Sequence, residues 1–204
     1  MPKFGINDVE ILSEVEAYKG FYTLKNYQLR HRLFAGGWGQ QVQRELVCRI
    51  PAVAVLLYDA VADAVVLIEQ FRVGAMAHPQ GPWQLEMVAG LIDTDESPEQ
   101  VAARECQEEA GVEVAPEQLQ KVCEYLVSPG GSNETLSIYC APVQAAAVSG
   151  IHGLPSEGED IRVLSLTRDQ AWLWLQQGKV TNAATIIALQ WLQLNYCQLQ
   201  AEWA

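Results

Sequence analysis

The segment that most constrains the fold of this chain is residues 90–112, GLIDTDESPEQVAARECQEEAGV. Within it, Ser97 is a suitable N-cap residue, Pro98 suits the first helical turn, and Gln100 completes a capping box. Gly111 supplies the left-handed residue with which many helices end. The sequence therefore predicts a short helix inside this segment, with both of its ends defined.

The same segment carries more negative charge than one short helix can neutralise. It holds seven carboxylates and a single arginine, Arg104. Glu105, Glu108 and Glu109 share one helical face, where they repel one another. They also lie near the C-terminal end, where the helix dipole disfavours each negative charge by about 0.3–1 kcal/mol. Such a cluster is most often a solvated acidic face. Bound divalent cations explain this one better, because Mg²⁺ takes carboxylate and carbonyl oxygens as ligands and keeps waters that can meet a phosphate.

The rest of the chain combines strand patterns with two further helices. Apolar runs at residues 52–59 and 64–71 predict a buried hairpin. Residues 20–35 have the pattern of strands or a hairpin. Further strand patterns occur at residues 40–50, 83–90, 121–128, 136–143 and 161–166. Helices are predicted at residues 167–178 and about 182–200. The pattern indicates mixed strands sandwiched by helices, an α+β or α/β fold.

Composition excludes several classes of protein. The chain of 204 residues has 13 Lys and Arg against 25 Asp and Glu, and a net charge of −12 argues against a nucleic-acid partner. Its five cysteines are scattered and form no CxxC pair, so neither a disulfide framework nor a zinc site is expected. The three histidines are scattered too, and we assign none to a metal. Without a signal-peptide or membrane-span pattern, a cytoplasmic protein with no membrane partner is expected.

Residues 90–112 resemble the Nudix box, in which glycine, glutamate, an Arg-Glu pair, a Glu-Glu pair and a second glycine recur at fixed intervals. The matching residues are Gly90, Glu96, Arg104, Glu105, Glu108, Glu109 and Gly111. Cys106 stands where an aliphatic residue is usual, and a small side chain of the buried type should not disturb the chemistry. Pro129, seventeen positions after Val112, is similar to the marker of the ADP-ribose pyrophosphatase subfamily. The resemblance covers nearly the whole chain.

The resemblance implies a fold, a reaction and an assembly. The fold would be the α/β/α sandwich of Nudix proteins, with residues 51–204 as the hydrolase domain. Residues 1–50 would form strands that are exchanged between the subunits of a homodimer with shared active sites. The reaction would be hydrolysis of the pyrophosphate bond of ADP-ribose to AMP and ribose 5-phosphate, with Mg²⁺ or Mn²⁺ as cofactor.

It also implies roles for the acidic residues. Glu105, Glu109 and the carbonyl of Ala89 would bind the metal, with Glu108 assisting. Arg104 would orient the carboxylates. Glu96, Gly90 and Gly111 would organise the box. The base in this subfamily lies on a late mobile loop, where the matching residue is Glu157, and Glu159 would be a further metal ligand.

Residues outside the box would contact the substrate. Arg72 would hold a phosphate, because a guanidinium forks onto two oxygens; its plain alternative is a surface salt bridge. By resemblance, Phe21 and Tyr22 would stack on adenine and Arg44 would reach the phosphates, although isolated aromatic residues more often belong to a core. The residues that would complete the substrate site, mostly around the terminal ribose, are Leu91, Ser128, Pro129, Gly130 and Glu134.

Two alternatives stay open. Within the Nudix enzymes, the substrate could be another nucleotide sugar such as GDP-mannose, a dinucleoside polyphosphate or an oxidised nucleoside triphosphate, and Pro129 argues moderately against these. Outside catalysis, the chain could be an ADP-ribose-sensing module that regulates transcription. Such modules have a degenerate box and an attached DNA-binding segment, whereas this box is complete and the chain is acidic.

Overall fold

The computed structural model describes residues 3–204, which divide into two compact units. The first unit contains the described residues up to Ile50 together with Leu126–Thr135, and the second contains Pro51–Tyr125 and Leu136–Ala204. The first unit therefore includes a segment from much later in the chain.

The first unit carries a three-stranded antiparallel sheet in the order β1-β2-β3. Its strands are β1 (Val9–Lys19), β2 (Thr23–His31) and β3 (Val42–Cys48). The hairpin thus joins β1 to β2, whereas the sequence placed the first strand or hairpin within residues 20–35. β1 was missed because no residue of VEILSEVEAYK is fully buried, so the strand shows no clear alternation of apolar and polar residues.

The second unit is built on an eight-stranded mixed sheet. Its strands are β4 (Ala52–Asp59), β5 (Ala64–Phe71), β6 (Trp83–Glu86), β7 (Val88–Leu91), β8 (Gln120–Leu126), β9 (Thr135–Pro142), β10 (Gly150–His152) and β11 (Ile161–Thr167). The hydrogen-bonded order is β10-β11-β5-β4-β9-β8, with β6 paired to β5 and β7 paired to β4. β4 runs parallel to β9 and antiparallel to β5 and β7. The predicted strand at residues 83–90 is therefore two short strands with different partners.

Helices cover both faces of this sheet. They are α1 (Pro98–Ala110), α2 (Arg168–Gln176) and α3 (Ala183–Trp203). Alternate residues of β4 point to opposite faces: Val55 belongs to a core shared with α1, and Leu56 to a core shared with α2 and α3. Burial on both faces explains why β4 has a continuous apolar sequence. The α+β sandwich predicted from the sequence is confirmed.

The ends of α1 also lie where the sequence predicted them. The Ser97 hydroxyl accepts from the Gln100 backbone N–H, and the Gln100 side chain accepts from the Ser97 N–H, which completes the capping box. Gly111 ends the helix with φ of 66°. These two ends hold the acidic face of α1 beside β7.

Across residues 3–204, no helix combines the length and the apolar character that a membrane span requires.

Candidate active site

A close approach between β7 and α1 brings the acidic helix against the backbone of the preceding strand. Gly90 lies directly against the side chain of Glu105, and a Cβ atom at Gly90 would overlap the Glu105 carboxylate. Any side chain at the first glycine of the box would therefore force Glu105 to move. Because Gly90 has no side chain, the carboxylate of Glu105 reaches the main chain of β7.

Glu109 makes the second contact between α1 and β7. Its side chain is buried, with the residue only 2% exposed, and its Oε2 accepts a hydrogen bond of 2.8 Å from the backbone N–H of Ala89. Burial raises the pKa of Glu109 to about 8, and the charges of Glu105 and Glu159 act in the same direction. Burial likewise raises the pKa of Glu105 to about 7. The positive charges of Arg104 near Glu105 and of Arg72 near Glu109 lower these two pKa values, but they do not offset the effect of burial.

Arg104 is the cation nearest to the cluster within the helix. Its Nη1 donates to Glu105 at 2.9 Å and to Glu108 at 2.8 Å, and its Nε donates to Glu96 at 3.3 Å. One guanidinium thus orients three carboxylates of the box. It makes no described contact with Glu109, and this most buried carboxylate forms no ion pair among residues 3–204; Arg72 acts on it only at longer range.

The donor set around Gly90 fits a hard divalent cation. The carboxylates of Glu105 and Glu109 and the carbonyl of Ala89 are oxygen ligands of the kind that Mg²⁺ takes. In the part of the chain that the structure describes, no three His, Cys, Asp or Glu side chains are gathered closely enough to hold a metal ion. The neighbouring acids are instead engaged with Arg104 and with the backbone, so coordination by these residues stays a prediction.

The late loop is anchored to the C-terminal end of α1. The Gly153 N–H donates to the carbonyl of Glu108 at 3.1 Å, and Glu159 accepts from the Leu154 N–H at 3.0 Å. The charge of Glu159 contributes to the raised pKa of Glu105 and of Glu109, so Glu159 lies within electrostatic range of the box. Glu157, in contrast, is exposed at the end of a 3₁₀ turn, and its side chain makes no hydrogen bond or ion pair with any described residue. The structure thus brings Glu159 to the acidic cluster and does not bring Glu157 there.

Arg72 follows β5 and also lies within electrostatic range of the box. Burial alone would lower the pKa of the Arg72 guanidinium, but the charges of Glu86, Glu109 and Glu159 together raise it. Its closest partner is Glu86, which is 5% exposed and which the sequence did not single out. The available signal was that Glu86 is the charged residue of the strand segment WQLEMV. At the end of β7, Leu91 is half-buried.

The other expected substrate residues belong to the first unit. Phe21 and Tyr22 are exposed and form an edge-to-face pair with ring centroids 4.9 Å apart. The guanidinium of Arg49 lies 4.6 Å from the Tyr22 ring centroid and 3.1 Å from the carboxylate of Glu134. Arg49 therefore links two predicted substrate residues, and the sequence analysis missed it.

The remaining predicted substrate residues of the first unit make fewer contacts with other described residues. Arg44 makes one described hydrogen bond, from Nη1 to its neighbour's carbonyl. Ser128, Pro129 and Gly130 form an exposed turn in which the Ser128 carbonyl accepts from the N–H of Ser132. These side chains are accessible, as residues that bind a ligand must be.

Comparison with known proteins gives concordant results. The family model described as NUDIX domain matches residues 49–189. The ADP-ribose pyrophosphatase of Escherichia coli (strain K12) is 50% identical over 201 residues, which are 98% of this chain and 95% of that protein. The ADP-ribose pyrophosphatase of Haemophilus influenzae (strain Rd) is 46% identical over 203 residues, 98% of this chain and 93% of that protein. The GDP-mannose pyrophosphatase of Escherichia coli O6:K15:H31 (strain 536) is 36% identical over 155 residues, 76% of this chain and 79% of that protein.

Proposed function

This chain belongs to the NUDIX domain family and is a pyrophosphohydrolase, and from that premise we propose that it hydrolyses ADP-ribose to AMP and ribose 5-phosphate. Water adds across the P–O–P linkage, so each product keeps one phosphate. The observation that carries the proposal is a pair of carboxylates, the buried Glu109 and the partly buried Glu105, held against Ala89 and Gly90. The substrate is supported by relatives named ADP-ribose pyrophosphatase that match 98% of this chain.

The cofactor that we propose is Mg²⁺, with Mn²⁺ as a substitute of similar chemistry. Glu105, Glu109 and the carbonyl of Ala89 would hold it, with Glu108 and Glu159 beside them. When bound, a divalent cation offsets the charge of the diphosphate and lowers the pKa of a coordinated water. The buried Glu109 supports this proposal, because it forms no ion pair with any described residue and its carboxyl pKa is raised by burial.

The protein side chains divide the remaining tasks. Arg72 would bind a phosphate oxygen, and Arg104 would keep Glu105 and Glu108 in place. We assign the general base to Glu157, whose carboxylate is exposed and has no described partner, so it is free to accept a proton from the attacking water. Glu159 already acts electrostatically on the box, which favours a ligand role for it.

We further propose a homodimer in which both chains contribute to each active site. The first unit exposes large apolar side chains that a monomer would leave in water, among them Ile11 at 54%, Phe21 at 77% and Phe34 at 80%. A two-fold dimer would cover such a patch with its own copy. In that assembly Phe21, Tyr22 and Arg44 would contact the nucleotide, and Leu91, Ser128, Pro129, Gly130 and Glu134 would complete the substrate site.

The proposed compartment is the cytoplasm. All five cysteines are free thiols, as is expected in a reducing environment. With a net charge of −12, a nucleic-acid partner is disfavoured, and the proposed partners are the nucleotide sugar and a second copy of the chain.

A second candidate substrate is a GDP-mannose-type nucleotide sugar, because one relative at 36% identity is named GDP-mannose pyrophosphatase. An assay with a panel of nucleotide substrates distinguishes ADP-ribose from GDP-mannose as the preferred substrate. The purified protein is incubated with Mg²⁺ and ADP-ribose, other ADP-sugars, GDP-mannose, dinucleoside polyphosphates or nucleoside triphosphates, and the products are separated. We expect the highest kcat/KM with ADP-ribose, and AMP and ribose 5-phosphate in equal amounts. A higher kcat/KM with GDP-mannose would replace the proposed substrate, and binding of ADP-ribose without hydrolysis would indicate a sensor.

A further inference from the structure

The guanidinium of Arg72 is held from one side by a single carboxylate oxygen. Its Nε donates to Glu86 Oε2 at 2.9 Å, and its Nη2 lies 2.8 Å from the same oxygen. An arginine has five N–H donors, and Nη1 has no hydrogen-bond partner among residues 3–204. The Arg72 side chain is 43% exposed, whereas that of Glu86 is 7% exposed. The buried partner therefore fixes the orientation of an accessible cation.

Glu86 is itself held by the first turn of α3. Its second oxygen, Oε1, accepts from Nδ2 of Asn182 at 3.1 Å. Asn182 is the N-cap of α3, and its Oδ1 accepts from the backbone N–H of Thr185 at 3.1 Å. The Thr185 hydroxyl in turn accepts from the N–H of Met87, the residue after Glu86. The network closes on itself, so the Glu86 side chain and its backbone are tied to the same helix end.

This arrangement requires a carboxylate at position 86. Because Oδ1 of Asn182 is committed to the helix cap, its Nδ2 must face Glu86 as a donor. Arg72 faces the other oxygen, also as a donor. Both oxygens of residue 86 must accept, which an ionised glutamate can do and a glutamine cannot, because its amide nitrogen would oppose one of the two donors.

We propose that Glu86 and Asn182 are positioning residues that orient the Arg72 guanidinium toward the diphosphate of the substrate. The inference rests on the proposed function, in which Arg72 binds a phosphate. Neither residue touches the substrate, and both act through Arg72. Three carboxylates act on Arg72, because Glu109 and Glu159 reach it electrostatically from the box while Glu86 binds it directly.

Pairing with Arg72 compensates the buried carboxylate of Glu86, but it engages only one side of the guanidinium. A buried ion pair is commonly no more stabilising than apolar residues of similar volume. Here one end of the network is a helix cap and the other is an accessible guanidinium with free donors. A phosphate has oxygens for those donors, and an orientation fixed in advance lowers the entropic cost of binding it.

The test combines substitutions that keep the fold and remove single contacts. Glu86→Gln keeps the shape of the side chain. One of its two donors, Arg72 or Asn182, then faces an amide nitrogen and loses its acceptor. Asn182→Ser keeps an N-cap residue, since Ser and Asn cap equally well, but loses the donor to Glu86. Glu69→Gln is the matched control, because Glu69 lies on β5 and pairs with the exposed Arg162 at 2.5 Å, away from Arg72. Each variant is assayed for kcat, KM and thermal midpoint, and for the Kd of ADP-ribose in excess chelator.

We expect Glu86→Gln to raise KM and the chelator Kd about tenfold, the loss typical of a charge-assisted hydrogen bond, with kcat changed much less. Asn182→Ser should also raise KM and the chelator Kd, but by a smaller factor. Glu69→Gln should leave both values unchanged. In an Arg72→Ala background, adding Glu86→Gln should change KM less than about twofold, because the residue acts through the arginine.

The outcomes separate this inference from the proposed function. If Glu86→Gln folds and binds ADP-ribose like the wild type, or if its effect persists undiminished without Arg72, the positioning role is wrong while the proposed hydrolysis stands. If Glu86→Gln fails to fold, Asn182→Ser decides by the same two criteria. Since ADP-ribose and GDP-mannose share the diphosphate, either serves as substrate, and a wild-type protein that hydrolyses neither overturns both proposals.

Discussion

The carboxylate of Glu109 accepts a hydrogen bond from the backbone N–H of Ala89 at 2.8 Å, which joins the acidic helix to the strand before it. The bond places a buried carboxyl group one residue away from Gly90, whose missing Cβ makes room for Glu105. Two carboxylates and a main-chain segment thus meet where β7 leads toward α1. The geometry of this meeting underlies the first three predictions.

Glu109→Gln should retain the fold and lose most turnover. The amide is nearly isosteric with the carboxylate, so the buried site is not emptied, but the variant lacks the charge that a divalent cation needs. We expect kcat to fall by about 10² or more in Mg²⁺. Steady-state kinetics and circular dichroism measure the two effects. Glu99→Gln is the control, since Glu99 lies on the same helix and bonds Tyr139; normal turnover by Glu109→Gln would refute the metal assignment.

Without metal, the protein should become less stable as the pH rises from about 5 to about 8. The pKa of Glu105 is raised to about 7 and that of Glu109 to about 8 by burial. The folded state therefore binds more protons than the unfolded state between the ordinary carboxylate pKa and these values, so the free energy of unfolding decreases with pH in that window. Urea unfolding in excess chelator at several pH values measures this slope.

Two further measurements check the cause of that slope. In Glu109→Gln the slope should be smaller, because one of the two titrating groups is gone. Mg²⁺ should restore stability to the wild-type protein mainly above pH 7, where the carboxylates ionise. A free energy of unfolding that stays constant or rises from pH 5 to pH 8 in chelator would show that the two carboxylates are already ionised.

Gly90→Ala should displace Glu105 and reduce activity while leaving most of the fold intact. The added methyl group would overlap the Glu105 carboxylate, so this side chain must move away from β7. Gly74→Ala is a suitable control, because a Cβ there meets no atom within 4 Å. Kinetics and thermal unfolding of both variants test the requirement, and full activity of Gly90→Ala would mean that the position of Glu105 does not matter for turnover.

Much of the second unit could be predicted because its signals are local. The ends of α1 depend on Ser97, Gln100 and Gly111, which lie within the helix or next to it. The β4–β5 hairpin follows from two adjacent apolar runs. Long-range pairings could not be predicted: β6 and β7 are consecutive in sequence, yet one pairs with β5 and the other with β4.

The same limit applies to the site. The box residues lie close together in the sequence, so their resemblance to the family motif could be seen without the fold. Glu86 and Asn182 are 96 positions apart, and only the fold brings them together with Arg72. Arg49 was missed for a similar reason, because its partner Glu134 follows 85 positions later.

Hybrid dimers should recover activity from two inactive variants. Arg44→Ala disables the nucleotide contact that we propose to come from one chain, and Glu109→Gln disables the metal site of the other. Mixing them under conditions of subunit exchange should form some sites that carry neither substitution, and activity should rise above that of either variant alone. Mixing two preparations of Glu109→Gln is the control. A protein that sediments as a monomer at micromolar concentration would contradict the shared site.

The general base that we propose is Glu157, on the loop of residues 150–160. The loop of residues 150–160 holds three glycines, Pro155 and three acids, a composition suited to a lid that closes over the substrate. Glu157 is the exposed acid that has no described partner, while Glu159 is bound to the Leu154 N–H. Closure would bring Glu157 to the water without breaking a bond of its side chain. We therefore expect Glu157→Gln to lower kcat by about 10² to 10⁴ and to leave KM within a few fold.

Glu159 is the competitor for this role, because it is the loop carboxylate that acts electrostatically on Glu105 and Glu109. Parallel kinetics of Glu157→Gln, Glu159→Gln and the control Asp160→Asn, with metal affinity measured by calorimetry, separate the two roles. A ligand role for Glu159 predicts weaker metal binding in its variant, and a base role for Glu157 predicts unchanged metal binding in its own. A silent Glu157→Gln beside an inactive Glu159→Gln that binds metal normally would exchange the roles. If both variants were fully active, the base would lie inside the box, with Glu108 as the first residue to substitute.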